Sequence, residues 1–348
     1  MAVLIQLFAI MDMYKIMKII VDTLLDDYGP KEVIKGTIKA ASTRKDVHFI
    51  LIGDEKLISS TIKEEKADIK QFTIVNSNQA ILNTEHPVMA FKQKPNSSLA
   101  LAYDLLRKDK DIDALVTPGS TGAALAGGIF KIGRIQGIHR PALMATLPTR
   151  KEGKLVRILD IGANMDCKAE YLVQFAEMAS EFLKLNGIAS PKIGLLNVGK
   201  EEGKGNSLTT EAYTLLKENK NINFCGNIEG DGVLKGEVDA VVCDGFAGNV
   251  FLKSLEETAY FVSDAFTHAI KKSAFTKFGA LFQLKELKKV KGLFKYANQA
   301  CAPLLGLKRL VVKMHGKSTA ENVYAVLLET FNMIEGNLIN KIEQSINK

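Results

Sequence analysis

The amino-acid sequence predicts an α/β fold, a mostly parallel sheet covered by helices. Short β-branched runs alternate with helix-length amphipathic stretches along the whole chain. The runs are apolar at successive positions, as strands buried on both faces must be, and glycine-bearing turns lie where strands give way to helices.

Taken in order, the apolar run Met17-Lys18-Ile19-Ile20-Val21-Asp22 opens the sheet, with its strand at Lys18–Asp22. Helical spacing follows at Pro30–Ser42, then strands are expected at Val47–Ile52 and Phe72–Val75. A helix at Asn96–Lys108, a strand at Ala114–Thr117 and a helix at Thr121–Ile132 repeat the alternation. Strands at Ala142–Leu147 and Val156–Ile161 lead to a helix at Ala169–Asn186, and the strand Ile193–Val198 to a helix at Ser207–Asn219. Strands at Ile222–Phe224 and Ala240–Cys243 precede a helix at Val250–Lys272, and a strand at Leu310–Lys313 precedes a helix at Ser318–Lys341. With no fixed-period repeat and no linker, this is one continuous α/β/α body with one excursion, residues 271–302.

The composition is that of a globular enzyme: 348 residues, 47% apolar and 24% charged, with 27 glycines and 8 prolines. It excludes a disordered chain, a collagen and a disulfide-stapled miniprotein. Cys167, Cys225, Cys243 and Cys301 form no CxxC pair, so inert thiols in a reducing cytoplasm are expected, with Cys225 and Cys243 buried in apolar runs. No HExxH or Cys/His cluster points to a metal. Residues 1–16 are apolar but lack the basic start of a signal peptide, and Asp12 comes too soon for a membrane span of roughly 20 residues. They are expected to be an extension, with the working domain at 17–348. No other segment qualifies as a transmembrane helix.

Four strand-to-helix turns carry the candidate chemistry. In Thr117-Pro118-Gly119-Ser120-Thr121-Gly122-Ala123, Gly119 and Gly122 allow close backbone approach and Ser120 and Thr121 offer hydroxyls. That is either an anion cradle or an ordinary capped helix after a glycine turn. The stretch Leu159–Lys168 places Asn164, Asp166 and Lys168 beyond a strand end, where ligands of parallel sheets sit; Asp166 as a helix cap is the plainer alternative. In Asn197–Asn206, Gly203 and Gly205 flank Lys204, whose ammonium is suited to a phosphate or a developing oxyanion. The register of a GxxxxGK[ST] loop is missing there, so ATP is not indicated, and a solvated charged loop is the bland reading. In Cys243-Asp244-Gly245-Phe246-Ala247-Gly248-Asn249-Val250, Asn249 offers a neutral amide to a carbonyl oxygen, while Asp244 is better placed to brace the turn than to act as a base. Each signal is weak alone; together they line one edge suited to an anionic substrate.

These residues resemble a known family. Gly133–Leu143 with Thr146–Thr149, Leu159–Lys168, Ile193–Asn206, Asn223–Gly230, Cys243–Val250, Ala302–Lys308 and His315-Gly316-Lys317-Ser318 are similar, in order, to motifs of the phosphate acyltransferase family PlsX. The resemblance runs from Met17 to the C-terminus. It implies a doubly wound sheet related to phosphotransacetylases and to isocitrate- and isopropylmalate-type dehydrogenases. It further implies transfer of a long acyl chain from acyl carrier protein to inorganic phosphate. The acyl phosphate would feed a membrane glycerol-3-phosphate acyltransferase in phospholipid synthesis. A homodimer without metal or nicotinamide is also implied.

Phosphate is itself the nucleophile in such a reaction, in keeping with the absence of a Ser-His-Asp or Cys-His set. Lys204 and Asn249 are therefore the expected catalytic pair, with Lys204 on the phosphate or oxyanion charge and Asn249 on the carbonyl oxygen. Gly119, Ser120, Thr121, Gly122, Asn164, Asp166, Lys168, Gly205, Asn206, Asp244 and Gly248 are the expected substrate- and phosphate-binding positions. His315 is expected to be structural, because a thiolate leaves without much help from an acid.

Two departures from the family pattern stand out. Its opening loop usually reads Asp-Ala-Met-Gly-Gly-Asp-His-Ala-Pro; here Asp22-Thr23-Leu24-Leu25-Asp26-Asp27-Tyr28-Gly29-Pro30 lacks the Gly-Gly pair and the histidine. Pro118 and Ser120 replace the family's usual Ala and Asn. Weaker or rearranged phosphate contact is the expectation.

The net charge of +7 has one location. Between Lys271 and Lys295 eight lysines are opposed only by Glu286, which accounts for the whole excess. Phe275, Phe278 and Phe282 recur there at helical spacing beside Lys285, Lys288, Lys289 and Lys291. Such a basic amphipathic segment suits an anionic membrane surface, an acidic carrier protein or a dimer partner, and leaves no broad basic surface for nucleic acid. The chain is accordingly expected in the cytoplasm, peripherally membrane-associated. Competing functions are a phosphate acetyl- or butyryltransferase using coenzyme A, and a catalytically impaired membrane-surface scaffold.

Overall fold

The structure, a computed structural model, describes residues 16–347 except 274, 277, 279–281 and 283–300. In chain order the elements begin β1 (Met17–Asp22), α1 (Pro30–Thr43), β2 (Val47–Gly53), α2 (Glu55–Glu64), β3 (Phe72–Asn76), α3 (Pro87–Gln93), α4 (Ser98–Lys108), β4 (Ile112–Thr117) and α5 (Thr121–Gly127). Next come β5 (Ala142–Pro148), β6 (Leu155–Leu159), α6 (Ala169–Leu185), β7 (Lys192–Leu196), α7 (Ser207–Glu218), β8 (Asn223–Ile228), α8 (Gly230–Lys235), β9 (Ala240–Val242) and α9 (Gly245–Lys271). Last are β10 (Ala302–Leu305), β11 (Leu310–Lys313), α10 (Ala320–Glu335) and α11 (Leu338–Ile346).

The chain divides into two compact units, a boundary that the sequence pattern does not reveal. Of the described residues, one unit holds those up to Ile135 together with Leu307–Ile339, and the other those of Gln136–Gly306 together with those from Asn340. In the first unit the strands run in the order β3-β2-β1-β4-β11, all parallel. Order reverses between β1 and β4, the kind of switch point at which open α/β sheets bind ligands. Ile19, Val21, Phe49, Leu51, Leu115 and Val311 are fully buried. Each such side chain contributes about 1.5–3 kcal/mol. Helix α1 approaches α10 so closely that a Cβ on Gly36 would lie 2.5 Å from the Cβ of Val323.

In the second unit the order is β10-β5-β6-β9-β7-β8. Strand β5 runs antiparallel to both β10 and β6, and β6, β9, β7 and β8 are mutually parallel. The α/β class and the mostly parallel strands therefore match the sequence reading. Helix α6 buries Leu172, Phe175, Ala176, Ala179 and Phe182, the amphipathic face expected of it.

Several boundaries differ from the sequence pattern, each for a physical reason. Strand β10 was not expected: Pro303 sits within it and argues against a strand on sequence grounds. The expected helix 121–132 passes into a π-helical turn at Gly128–Ile132. The expected helix 318–341 is two helices, broken where Asn337 takes a left-handed φ of 54°. Helix α9 starts at Gly245, five residues before Val250, because its glycines are buried by close tertiary contact. Cys243 is buried as expected, but Cys225 is exposed.

Candidate functional site

In the first unit the parallel strands β1, β4 and β11 lie side by side, so Asp22, Thr117 and Lys313 end at one edge. Thr117 Oγ1 donates to Asp22 Oδ2 at 2.8 Å and accepts from the Gly119 N–H at 2.9 Å. The Leu24 N–H donates to Asp22 Oδ1 at 3.1 Å. Burial pushes the Asp22 carboxyl up to about 6, against the lowering effect of its hydrogen bonds from Ser98 and Thr117.

Asp26 ties the 22–29 loop to the loop after β11. Its carboxylate accepts from Tyr28 N at 2.9 Å and from Ser318 N at 3.1 Å, and burial raises it to about 6. Lys313 Nζ donates to the carbonyl of Pro118 at 3.0 Å and also to that of Met314. Pro118 therefore lacks an N–H but uses its carbonyl to hold a cation at the strand ends. His315 Nδ1 accepts from Lys317 N at 3.0 Å, which places the proton of the neutral ring on Nε2.

The glycines of this loop are accounted for by neighbouring protein atoms. A Cβ on Gly119 would lie 3.0 Å from Thr117 Oγ1, and one on Gly122 3.0 Å from Pro87 Cγ. Ser120 is the N-cap of α5, accepting from Ala123 N at 3.5 Å, and Thr121 opens that helix.

The second unit presents its own edge, at the carboxyl ends of β6, β9 and β7. The loop after β6 is organised by Asp160, which is fully buried. Its carboxylate accepts four hydrogen bonds: from Leu143 N (3.0 Å), Ala163 N (3.1 Å), Asn164 N (2.6 Å) and Asn164 Nδ2 (2.9 Å). Burial raises its proton affinity while these donors oppose the shift. With only donors around it, the ionised form is the one the geometry accommodates. Asn164 Nδ2 also donates to Pro141 O at 2.8 Å. Asp166 and Lys168 are exposed beyond it.

After β9, Asp244 caps α9 by accepting from Ala247 N at 2.7 Å. Asn249 lies in the first turns of that helix, half-buried. Gly248 is obligatory there: a Cβ would sit 1.9 Å from the carbonyl oxygen of Asp160. The Cys243 thiol, with its Sγ 3.5 Å from the same carbonyl, is pushed up by burial, and Cys167 is pushed up to about 12. Neither is a nucleophile at neutral pH.

The loop after β7 is pinned by two amides. Asn197 Nδ2 donates to Lys204 O at 2.9 Å and to Asn227 Oδ1 at 3.0 Å, and Asn227 Nδ2 donates to Glu201 O at 2.8 Å. Gly205 has φ 104°, and a Cβ there would meet Thr209 Oγ1 at 2.0 Å. Asn206 and Thr209 form a reciprocal capping box at the start of α7. The loop's lysines differ in state. Lys200 pairs with Glu237 at 3.0 Å, whereas exposed Lys204 has no ion pair among the described residues.

Of the expected residues, Asn164, Asp166, Lys168, Lys204, Gly205, Asn206, Asp244, Gly248 and Asn249 all fall on the edge of the second unit; Gly119, Ser120, Thr121 and Gly122 fall on that of the first. Sequence reasoning missed Asp26, Asp160, Asn197, Asn227 and Lys313 as organisers. The available signal was a polar residue at or just past the end of a buried strand. It also missed apolar exposure: Met165, Val198, Phe246 and Val250 are 48%, 80%, 64% and 50% exposed just after the same three strands as Asn164, Lys204 and Asn249. Among the described residues no group of three or more His, Cys, Asp and Glu could hold a metal ion.

Helix α9 leads away from this edge. Its last buried residue is Glu256, and Phe261 and Phe266 are exposed beyond it. Phe275, Phe278 and Phe282 are exposed too, the last two with ring centroids 5.3 Å apart. Lys285, Lys288, Lys289 and Lys291, and most of the expected 271–302 excursion, lie outside the described residues. No helix among the described residues is long and apolar enough to cross a membrane.

Comparison with known proteins gives this geometry a family. The family model described as "Fatty acid synthesis protein" matches residues 17–341. Phosphate acyltransferase of Thermoanaerobacterium thermosaccharolyticum is 40% identical over 331 residues, covering 95% of this chain and 97% of that protein. The Bacillus cereus phosphate acyltransferase is 39% identical over 333 residues, covering 95% and 99%. Among solved structures, the EutD phosphotransacetylase from Staphylococcus aureus aligns with a TM-score of 0.57 at 16% identity, covering 93% of this chain and 96% of its own. A branched-chain phosphotransacylase from Enterococcus faecalis also aligns at 0.57 with 15% identity, covering 91% and 99%; both likenesses speak to the fold. On the sequence matches, which span nearly all of both chains, this protein belongs to the phosphate acyltransferase (PlsX) family of fatty acid synthesis proteins.

Proposed function

We propose that the protein transfers a long-chain fatty acyl group from acyl carrier protein to inorganic phosphate, giving acyl phosphate for phospholipid synthesis. A phosphate oxygen attacks the thioester carbonyl, the C–S bond breaks, and the carrier thiolate leaves and takes a proton from water. No covalent enzyme intermediate is needed. Lys204 supplies charge to the phosphate or the tetrahedral oxyanion, and Asn249 donates its amide to the carbonyl oxygen. Asn164, Asp166 and Lys168, on the same unit, serve substrate binding, and the 117–122 loop is a separate candidate anion contact on the other unit.

The observation that carries this reading is the company Lys204 keeps. An ammonium without an ion pair among the described residues lies on the edge that also carries exposed Met165, Val198 and Phe246, a combination suited to an anion at the head of an alkyl chain. The basic, phenylalanine-bearing segment after α9 serves contact with an anionic membrane surface, close to the membrane glycerol-3-phosphate acyltransferase that uses the product. The protein then works in the cytoplasm as a peripheral membrane homodimer. One assay decides the substrate: phosphate-dependent thiol release from palmitoyl-carrier protein, run beside acetyl-CoA and butyryl-CoA. Preference for the carrier-bound long chain is expected. Preference for a CoA thioester would make it a phosphate acetyl- or butyryltransferase, and no release from any donor would leave the scaffold reading.

A further inference from the structure

We propose that Asp160 is a positioning residue for the reaction: its buried carboxylate fixes the 161–164 loop on which the start of α9, and with it Asn249, is seated. The inference depends on the reading of Asn249 as the donor to the thioester carbonyl. The link lies within one unit. Oδ1 of Asp160 accepts from Leu143 N on β5 and from Ala163 N; Oδ2 accepts from both nitrogens of Asn164. One carboxylate thereby clamps the loop to the neighbouring strand. Gly162 sits inside the clamped loop with φ 125°, and a Cβ there would lie 3.6 Å from Asn249 Cγ and 3.7 Å from Nδ2. The Asn249 amide thus lies beside Gly162, at the distance where an added methyl group would just touch it.

Two further contacts seat the start of α9 on the same loop. The Gly245 N–H donates to Asn164 O at 2.7 Å, and the Gly248 Cα packs directly on the Asp160 carbonyl. An asparagine at 160 would keep the shape but turn an NH2 group toward an N–H that now donates to it. Whichever oxygen it replaces, the NH2 group faces two donors, so the loop would lose two of its four anchors and gain repulsion in their place, and Asn249 would lose its support without losing its own side chain.

The experiment is a double-mutant cycle on the full chain, using Asp160→Asn, Asn249→Ala and the pair, with kcat and KM for phosphate and acyl donor. Circular dichroism and thermal melting confirm that each is folded. If Asp160 acts through Asn249, Asp160→Asn lowers kcat by about 30-fold or more with each KM within about 3-fold, and the double variant is no more than about 3-fold slower than Asn249→Ala. Multiplicative losses, or a near-wild-type kcat for Asp160→Asn, would overturn the proposal while leaving the role of Asn249 intact. Wild-type turnover by Asn249→Ala would instead remove the underlying reading, and the proposal with it. Should Asp160→Asn not fold, Asn164→Ala replaces it in the cycle. A kcat loss non-additive with Asn249→Ala is then expected, whatever the change in KM from the substrate contact of Asn164 itself. Additive losses in kcat, or no loss in kcat, would refute the link.

Discussion

Thr117 donates its hydroxyl to the Asp22 carboxylate at 2.8 Å, joining the ends of two neighbouring parallel strands through one buried bond. That bond lowers the Asp22 pKa, yet burial prevails and holds the group at about 6, above its ordinary 3.8. The folded protein therefore binds more protons than the unfolded chain between these values. The stabilising contribution is fully present below pH 4 and is lost as pH rises through 6. Asp22→Asn removes it. The stability of this variant relative to wild type should improve between pH 4 and pH 7, by on the order of 2–3 kcal/mol. Denaturant melts at both pH values test this, and a difference independent of pH would count against it.

Leu25 occupies a position where the family usually has glycine and adopts a φ of 68°. The left-handed region costs a leucine roughly 1–2 kcal/mol, and asparagine tolerates it better. Leu25→Asn should therefore raise the unfolding free energy by about 0.5–1 kcal/mol. Urea titration reads the gain; a loss would show that the half-buried leucine side chain outweighs its backbone.

Lys204→Ala should reduce turnover by on the order of 100-fold or more, the typical cost of a lost transition-state donor. Because the side chain is exposed and without an ion pair among the described residues, the melting temperature should stay within about 2 °C. Lys200→Ala, which removes a lysine already paired with Glu237, is the control and should retain activity within about 3-fold.

Phe246 is 64% exposed in the first turn of α9. Phe246→Glu should raise the KM for a long-chain donor by about 10-fold while changing that for a short-chain donor by less than about 2-fold, as expected if the ring meets several methylenes. Steady-state kinetics with both donors separates this from a general loss of activity.

Sedimentation with anionic liposomes should weaken with added salt and with Phe278→Glu or Phe282→Glu, whose native rings are exposed. Binding unchanged in both tests would leave the segment to another partner.

Much of the fold was legible because most strands among the described residues are short apolar runs bounded by turns, which periodicity reports directly. β10 escaped through Pro303, and the true start of α9 through Gly245 and Gly248. Their low helix propensity is overridden by contact with the Asp160–Asn164 loop, a feature no local pattern contains. At the site, the glycine turns, Lys204 and Asn249 were visible as residue types at strand ends. Asp160 was not, because its partners at Leu143 and Ala163 are backbone N–H groups, which every residue but proline supplies. The exposure of Cys225 was hidden for a related reason: β8 lies at the end of its strand order, and an edge position is a property of topology.

Helix α9 has 27 residues, so its axis is on the order of 40 Å long, with Asn249 near one end and the exposed phenylalanines beyond the other. Distance and angular phase along it are therefore coupled. Removing about seven residues, two turns, would bring the far apolar side chains closer while keeping them on nearly the same azimuth as seen from Asn249. Removing two would swing them through about 200°. Insertions and deletions in the exposed half of this helix are thus constrained by the turn, even where no individual side chain is.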